Sequence, residues 1–169
     1  MNLSFRIFTN SYVKPIIIFA AFSYFLLLFY IFFLARRRRG PTLPWSKRHL
    51  NLIPFKNKYA YFISQIDIER PQFREFYFDL FGNILLFVPF AFILYFILHI
   101  KDNRKIMIIS FVTSISIEIT QFVLSIGVAD VDDIILNTTG AAVGLFILKK
   151  LIKINAAPQS RLFRSGIAK

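Results

Sequence analysis

Apolar positions fall into four long runs, and every charged residue of the chain except Glu118 lies between or outside these runs. The first run, 15–35, and the second, 80–98, contain no charged residue, and the third, 106–129, is interrupted by Glu118. The fourth, 134–148, is shorter and follows a group of acidic residues. A membrane-spanning helix needs about 20 apolar residues. The pattern predicts an all-α integral membrane protein with four transmembrane helices, over residues 15–35, 80–99, 106–127 and 132–150.

The connection between the first two runs, 36–79, is long and mixed in character. It begins with four arginines, and the apolar run before them is longer than the roughly 7–15 residues of a signal-peptide core, so we predict an uncleaved anchor. Pro41, Pro44 and Pro54 argue against a continuous helix in this connection. The apolar patch 50–55 and the aromatic-rich stretch 72–81 are typical of chain at the membrane surface, the latter as a short interfacial helix. We therefore predict a long, partly interfacial loop over 36–79.

The distribution of lysine and arginine bears on orientation. The short loop around 101–105 carries three of them, and the loop 127–133 carries none, which favours both termini on the inner side. The arginines at 36–39, directly after the first run, favour the opposite orientation. We expect the termini to be inside, with the reverse arrangement open.

Composition and charge agree with a membrane location. The chain is 56% hydrophobic and has a net charge of +12. Its basic residues flank the apolar runs, where anionic headgroups attract each by about 1 kcal/mol, so the charge predicts contact with the lipid bilayer and not with nucleic acid. The absence of cysteine excludes disulfides and thiolate metal sites.

The third run contains a polar stripe. Its members follow one another at steps of three or four residues, which places them on one face of a helix; they are Ser110, Ser114, Glu118, Gln121 and Ser125. Interhelical hydrogen bonding explains the serines. It explains Glu118 less well, because glutamine would bond similarly without a titrating group. A charged side chain in the bilayer faces a bundle interior or a wet cavity, so we interpret Glu118 as a candidate functional residue.

Further polar side chains are expected at the same end of the bundle. The fourth helix starts with acidic residues that could cap it or complement its dipole, and an asparagine follows one turn later. Antiparallel connections bring these together with the start of the second helix and with the loop. The complete set of candidate ligand-binding residues is Asn51, Asp79, Asn83, Glu118, Gln121, Asp130, Asp132, Asp133 and Asn137. Gly140 and Gly144 predict a close helix contact.

Four segments occur in an order that resembles the VanZ-like family of small bacterial membrane proteins. They are LNLIPF at 50–55, DLFGNILLFVPF at 79–90, SISIEITQ at 114–121 and DVDDIILNTTG at 130–140. The similarity spans 50–148, with Ala91 standing where family members often carry glycine. The resemblance implies a multi-pass protein of the bacterial cell membrane with an envelope role, in particular low-level resistance to glycopeptide antibiotics such as teicoplanin.

Two hypotheses follow for the polar cluster. In the first, it binds an envelope component or a membrane partner protein without catalysis. In the second, it is an intramembrane active site for a lipid-linked envelope precursor, with Glu118 or Asp133 as the catalytic candidates and Glu118 as general acid or base. No cofactor is predicted, although a variant of the second hypothesis uses the aspartates and Asn137 as oxygen ligands for Mg²⁺ or Ca²⁺. The motifs contain no histidine, and we favour binding.

Overall fold

The described residues form four helices and one short pair of strands. The computed structural model describes residues 12–35, 50–56, 59, 71–126 and 129–156, without the side chains of 71–76, 78–79 and 155–156. Helix α1 covers Val13–Ala35, and its last six residues, Tyr30–Ala35, are wound as a π-helix. The others are α2 at Pro71–Phe96, α3 at Asn103–Val123 and α4 at Val131–Ala156. Strand β1, Leu50–Asn51, pairs in parallel with β2, Ala129–Asp130.

The apolar character of these helices suits a membrane. Val13–Ala35, Asn103–Val123 and Val131–Ile154 are each long and apolar enough to cross one, and Leu80–Phe96 is a shorter apolar helix. The chain is therefore a helical membrane protein, as the four apolar runs indicated. Of the side chains in these three candidate spans, those of α4 are the most enclosed and those of α1 the least. Helix α4 is thus central and α1 lies at the edge of the bundle.

The region before the second apolar run differs from the expectation. In place of a loop up to residue 79 and a separate interfacial helix over 72–81, one continuous helix runs from Pro71 to Phe96. Proline is well suited to the first helical position, because its missing N–H has no partner there in any case. The parallel strand pair was not predicted either. Residues 36–49 and 60–70 of the predicted loop lie outside the described residues.

Two glycines of α4 set the distance between α2 and α4. A Cβ atom on Gly140 would overlap the carbonyl oxygen of Ile84, and one on Gly144 would overlap that of Val88. The same added Cβ on Gly144 would lie 3.1 Å from the Cβ of Ala91, which is fully buried. Small residues allow backbones to approach closely in membrane bundles. These contacts advance in the same direction along both helices, so α2 and α4 run parallel.

The apolar core is rich in phenylalanine. Phe87 and Phe90 of α2 pack against each other and against rings of α1, with the Phe32 and Phe87 ring centroids 6.4 Å apart. Pro89 lies inside α2, where it removes a backbone donor. Tyr24 of α1 donates its hydroxyl hydrogen to the carbonyl oxygen of Leu86 at 2.6 Å, so the edge helix is also held by a polar contact.

Gly140→Ala should destabilise the protein by about 1–3 kcal/mol, because the added methyl group forces α2 and α4 apart. Gly82→Ala is the matched control, since nothing lies within 4 Å of its added Cβ. Alanine should stabilise that position by about 0.5–1 kcal/mol. Reversible unfolding in detergent micelles measures both. Equal effects of the two substitutions would contradict the close helix contact.

Candidate functional site

Most of the predicted polar residues lie together, at the end of the bundle where α1 and α3 finish and α2 and α4 begin. We call this the acidic end, and the opposite end the basic end. The buried members of the polar cluster are Asn51, Asn83, Glu118, Gln121, Asp132, Asp133 and Asn137. Asp130 is half-buried. Asp79 belongs to α2, and its side chain lies outside the described residues.

The stripe on α3 faces the interior, which confirms the prediction from its spacing. Ser110, Ser114, Glu118 and Gln121 are buried, while Ile119 and Val123 of the same helix are more than half exposed. Ser125 follows the end of the helix and is half-buried. The amide of Gln121 donates to the carbonyl oxygen of Phe32 at 2.9 Å. This bond ties α3 to the π-helical end of α1.

The aspartate before α4 joins two segments that are far apart in the sequence. Oδ1 of Asp130 accepts the backbone N–H of Asp132 at 2.9 Å, as a capping residue does at a helix start. The same oxygen accepts the side-chain amide of Asn51 at 2.8 Å. Asn51 is paired with Asp130 in the strand ladder. The loop is therefore fixed to the start of α4 by both backbone and side chain.

A second aspartate holds the other end of the same loop segment. Oδ1 of Asp132 accepts the backbone N–H of Phe55 at 2.6 Å. Phe55 has a φ of 58°, in the left-handed region that costs a non-glycine residue about 1–2 kcal/mol. A hydrogen bond to a charged group contributes about 1.5–3 kcal/mol, which is enough to offset that strain.

The remaining contacts connect three helices. Asn83 of α2 donates its amide to Oδ1 of Asp133 on α4 at 2.8 Å. Asn137, one turn further along α4, donates its amide to the hydroxyl oxygen of Ser114 on α3 at 2.9 Å. Oε2 of Glu118 accepts the backbone N–H of Asp130 at 2.9 Å. Each carboxylate of the cluster thus receives at least one hydrogen bond, as buried charges require.

The cluster is rich in oxygen acceptors and is suited to binding hydrogen-bond donors or cationic groups. Oδ1 of Asn137 is buried and accepts no hydrogen bond from the described residues. Among those residues, no three His, Asp or Glu side chains are grouped so that they could hold a metal ion. The Mg²⁺ or Ca²⁺ variant therefore gains no support from this part of the chain. Lys56 is exposed and forms no ion pair with a described residue.

The fold and this site define a small helical membrane protein with a buried cluster of carboxylates and amides at one end of its bundle. The chain belongs to the VanZ/LLP1 family, which it matches over residues 19–153. It is 31% identical over 103 residues to Protein VanZ of Enterococcus faecium, a stretch that covers 60% of this chain and 53% of that protein. The chain thus spans about half the length of this curated relative. No solved structure matches it.

Ser114, Phe55 and Asp130 supply hydrogen-bonding groups to the site that were not identified from the sequence. The hydroxyl of Ser114 belonged to the predicted stripe but not to the candidate set. The backbone N–H groups of Phe55 and Asp130 carry no side-chain signal at all, because every residue except proline has one. The aspartates at the start of α4 do indicate that hydrogen-bond donors must come from other parts of the chain. This is the sequence feature that could have pointed to these partners.

Asn83→Ala should destabilise the protein by about 1.5–3 kcal/mol, because it removes a donor to the buried Asp133 carboxylate. Leu85→Ala is the control on the same helix, since Leu85 is 65% exposed and bonds to none of the cluster. Unfolding in micelles compares the two. A double-mutant cycle with Asp133→Ala should show coupling between positions 83 and 133, and strictly additive effects would contradict the bond.

Proposed function

We propose that this protein crosses the bacterial cell membrane four times and contributes to low-level resistance to glycopeptide antibiotics such as teicoplanin. It does so by binding an envelope component or a membrane partner protein at the polar cluster. Family membership supports the envelope role. The observation that carries the binding role is the cluster itself, in which side chains of the loop, α2, α3 and α4 are fixed within hydrogen-bond distance of one another.

Burial and position favour recognition over a purely structural network. Oδ1 of Asn137 is a buried acceptor of the cluster to which no described residue donates a hydrogen bond. Glu118 lies five residues before the end of α3, which is about 7–8 Å at 1.5 Å per residue. A ligand in the headgroup layer could therefore reach the acidic end without entering the middle of the bilayer.

The enzymatic alternative assigns Glu118 the role of general acid or base. Its carboxylate accepts a backbone N–H of the chain, which is a positioning contact that a glutamine oxygen could also make. His99, the histidine within the described residues, follows α2 at the basic end. We therefore favour binding, and the two functions differ in what they expect of Glu118→Gln.

Single cysteines should label from opposite sides of the membrane. The chain has no cysteine of its own, so each introduced thiol is unique. With the termini inside, Lys56→Cys and Leu124→Cys should react with an impermeant reagent on intact cells. Asn103→Cys and Lys153→Cys should react only after permeabilisation. Labelling of all four from one side would contradict four spans, and the reversed pattern would contradict the orientation.

Loss of the cluster should remove protection. The variants Asn137→Ala and Asp133→Ala, expressed at matched membrane levels in a susceptible Gram-positive host, should return teicoplanin susceptibility to that of the host without the protein. Thr139→Ala is the control, because its side chain is exposed and bonds only to its own helix. It should protect as the wild type does.

Glu118→Gln separates the two functions in the same assay. Binding predicts that it protects, because the amide oxygen can still accept the Asp130 N–H. Acid–base catalysis predicts complete loss at unchanged membrane level, since glutamine does not titrate. A wild-type protein that leaves teicoplanin susceptibility unchanged would contradict the proposed resistance role.

A further inference from the structure

A groove of about 370 Å³ lies between α1 and α2 toward the basic end of the bundle. Its walls include Ala20, Ala21 and Tyr24 of α1 and Pro89, Ile93 and Phe96 of α2. The volume falls within the roughly 300–1,000 Å³ of ligand-binding pockets. The groove exists because the two alanines leave space where α1 passes the second half of α2. Its polar atom, the Tyr24 hydroxyl, is already bonded to Leu86, so the lining offers hydrocarbon contacts.

Two lysines flank the groove at the basic end. Lys14 is exposed and lies three residues before Ile17, a lining residue, and seven before Ala21, so helical periodicity places it on the face that forms the groove. The Nζ of Lys101 lies 3.6 Å from the ring centroid of Tyr95 and 5.6 Å from that of Phe96, which lines the groove. It also donates to the Tyr95 carbonyl oxygen at 2.8 Å. These contacts hold the ammonium group beside the opening.

The charged residues around the opening of the groove are mainly cationic. The described cations at the basic end are Lys14, Lys101, Arg104, Lys105, Lys149, Lys150 and Lys153. Asp102 is the carboxylate within the described residues there, and it caps α3 by accepting the Arg104 N–H. Desolvation lowers the pKa of Lys101 from its usual value, and an anion beside it would favour the charged form.

We propose that this groove binds one anionic phospholipid, with a hydrocarbon chain between α1 and α2 and its phosphate between Lys14 and Lys101. The apolar walls accept any hydrocarbon chain of the bilayer, and the two ammonium groups select for a lipid with net negative charge. A helix of a partner protein or of a second copy could fill the apolar part, but it would leave the lysines unmatched. The site lies at the end of the bundle opposite the polar cluster and does not depend on the function proposed for that cluster.

Native mass spectrometry of the purified full-length protein tests the proposal. The probes are phosphatidylglycerol and phosphatidylcholine with identical chains, added separately to delipidated protein in detergent. One phosphatidylglycerol should be retained in preference to phosphatidylcholine. Equal retention of the two lipids would overturn the proposal. A dimer that forms only in the absence of lipid and excludes it would also overturn it, because the groove would then hold a second copy.

Two variants locate the binding to the groove. The double variant Lys14→Gln/Lys101→Gln should reduce the preference for phosphatidylglycerol by roughly thirty-fold, which is about 2 kcal/mol at 1.4 kcal/mol per tenfold. Ala21→Phe should abolish retention of both lipids by filling the groove. The control Ala142→Phe fills a different apolar groove, about 280 Å³ between α3 and α4, and should bind as the wild type does. An unchanged preference in the lysine variant would overturn the proposal even if Ala21→Phe failed to fold.

Discussion

A carboxylate removed from water must be given hydrogen-bond donors, and this chain finds them by bringing distant backbone together at the start of α4. Asp130 takes a donor from the loop and one from α4 itself. Asp132 accepts the backbone N–H of Phe55, and Asp133 accepts the side-chain amide of Asn83 on α2. Strands β1 and β2 pair in parallel where these contacts bring the loop beside the start of α4. The acidic end is therefore defined by long-range contacts to three aspartates that are adjacent or nearly adjacent in sequence.

These contacts are compatible with the bundle because α2 and α4 are already close. The glycines at 140 and 144 let the α4 backbone touch carbonyl groups of α2, and that parallel contact brings Asn83 level with Asp133. Helix α3 runs antiparallel to them and brings Ser114 and Glu118 to the same place. Helix α1 contributes less enclosed surface, and it leaves an apolar groove toward the basic end.

Much of this arrangement could be predicted from the helical periodicity of the sequence. The stripe from Ser110 to Gln121 required only the helical repeat, and the inward orientation of Glu118 required only that a carboxylate avoid lipid. The glycine pair likewise indicated a close contact, although not its partner, Ile84. The strand pair and the Phe55 contact were not predictable, because they join backbone groups that no residue type marks. The continuous α2 was missed because the aromatic residues of 72–81 suit an interfacial helix and a longer helix equally well.

The chemistry of the cluster makes stability a weak explanation for it. Replacing buried ionic groups by apolar residues of similar size is often neutral or stabilising, so three aspartates and a glutamate are not needed to join helices that already pack through glycine and phenylalanine. The same groups fix the geometry of the loop closely, since one oxygen of each of these four carboxylates has a defined donor. A strained Phe55 held by a charge-assisted bond fits this view, because such strain persists only where the surroundings determine the conformation. The acidic end thus has a defined arrangement of acceptors, and the proposed binding of a ligand from the headgroup layer depends on that arrangement.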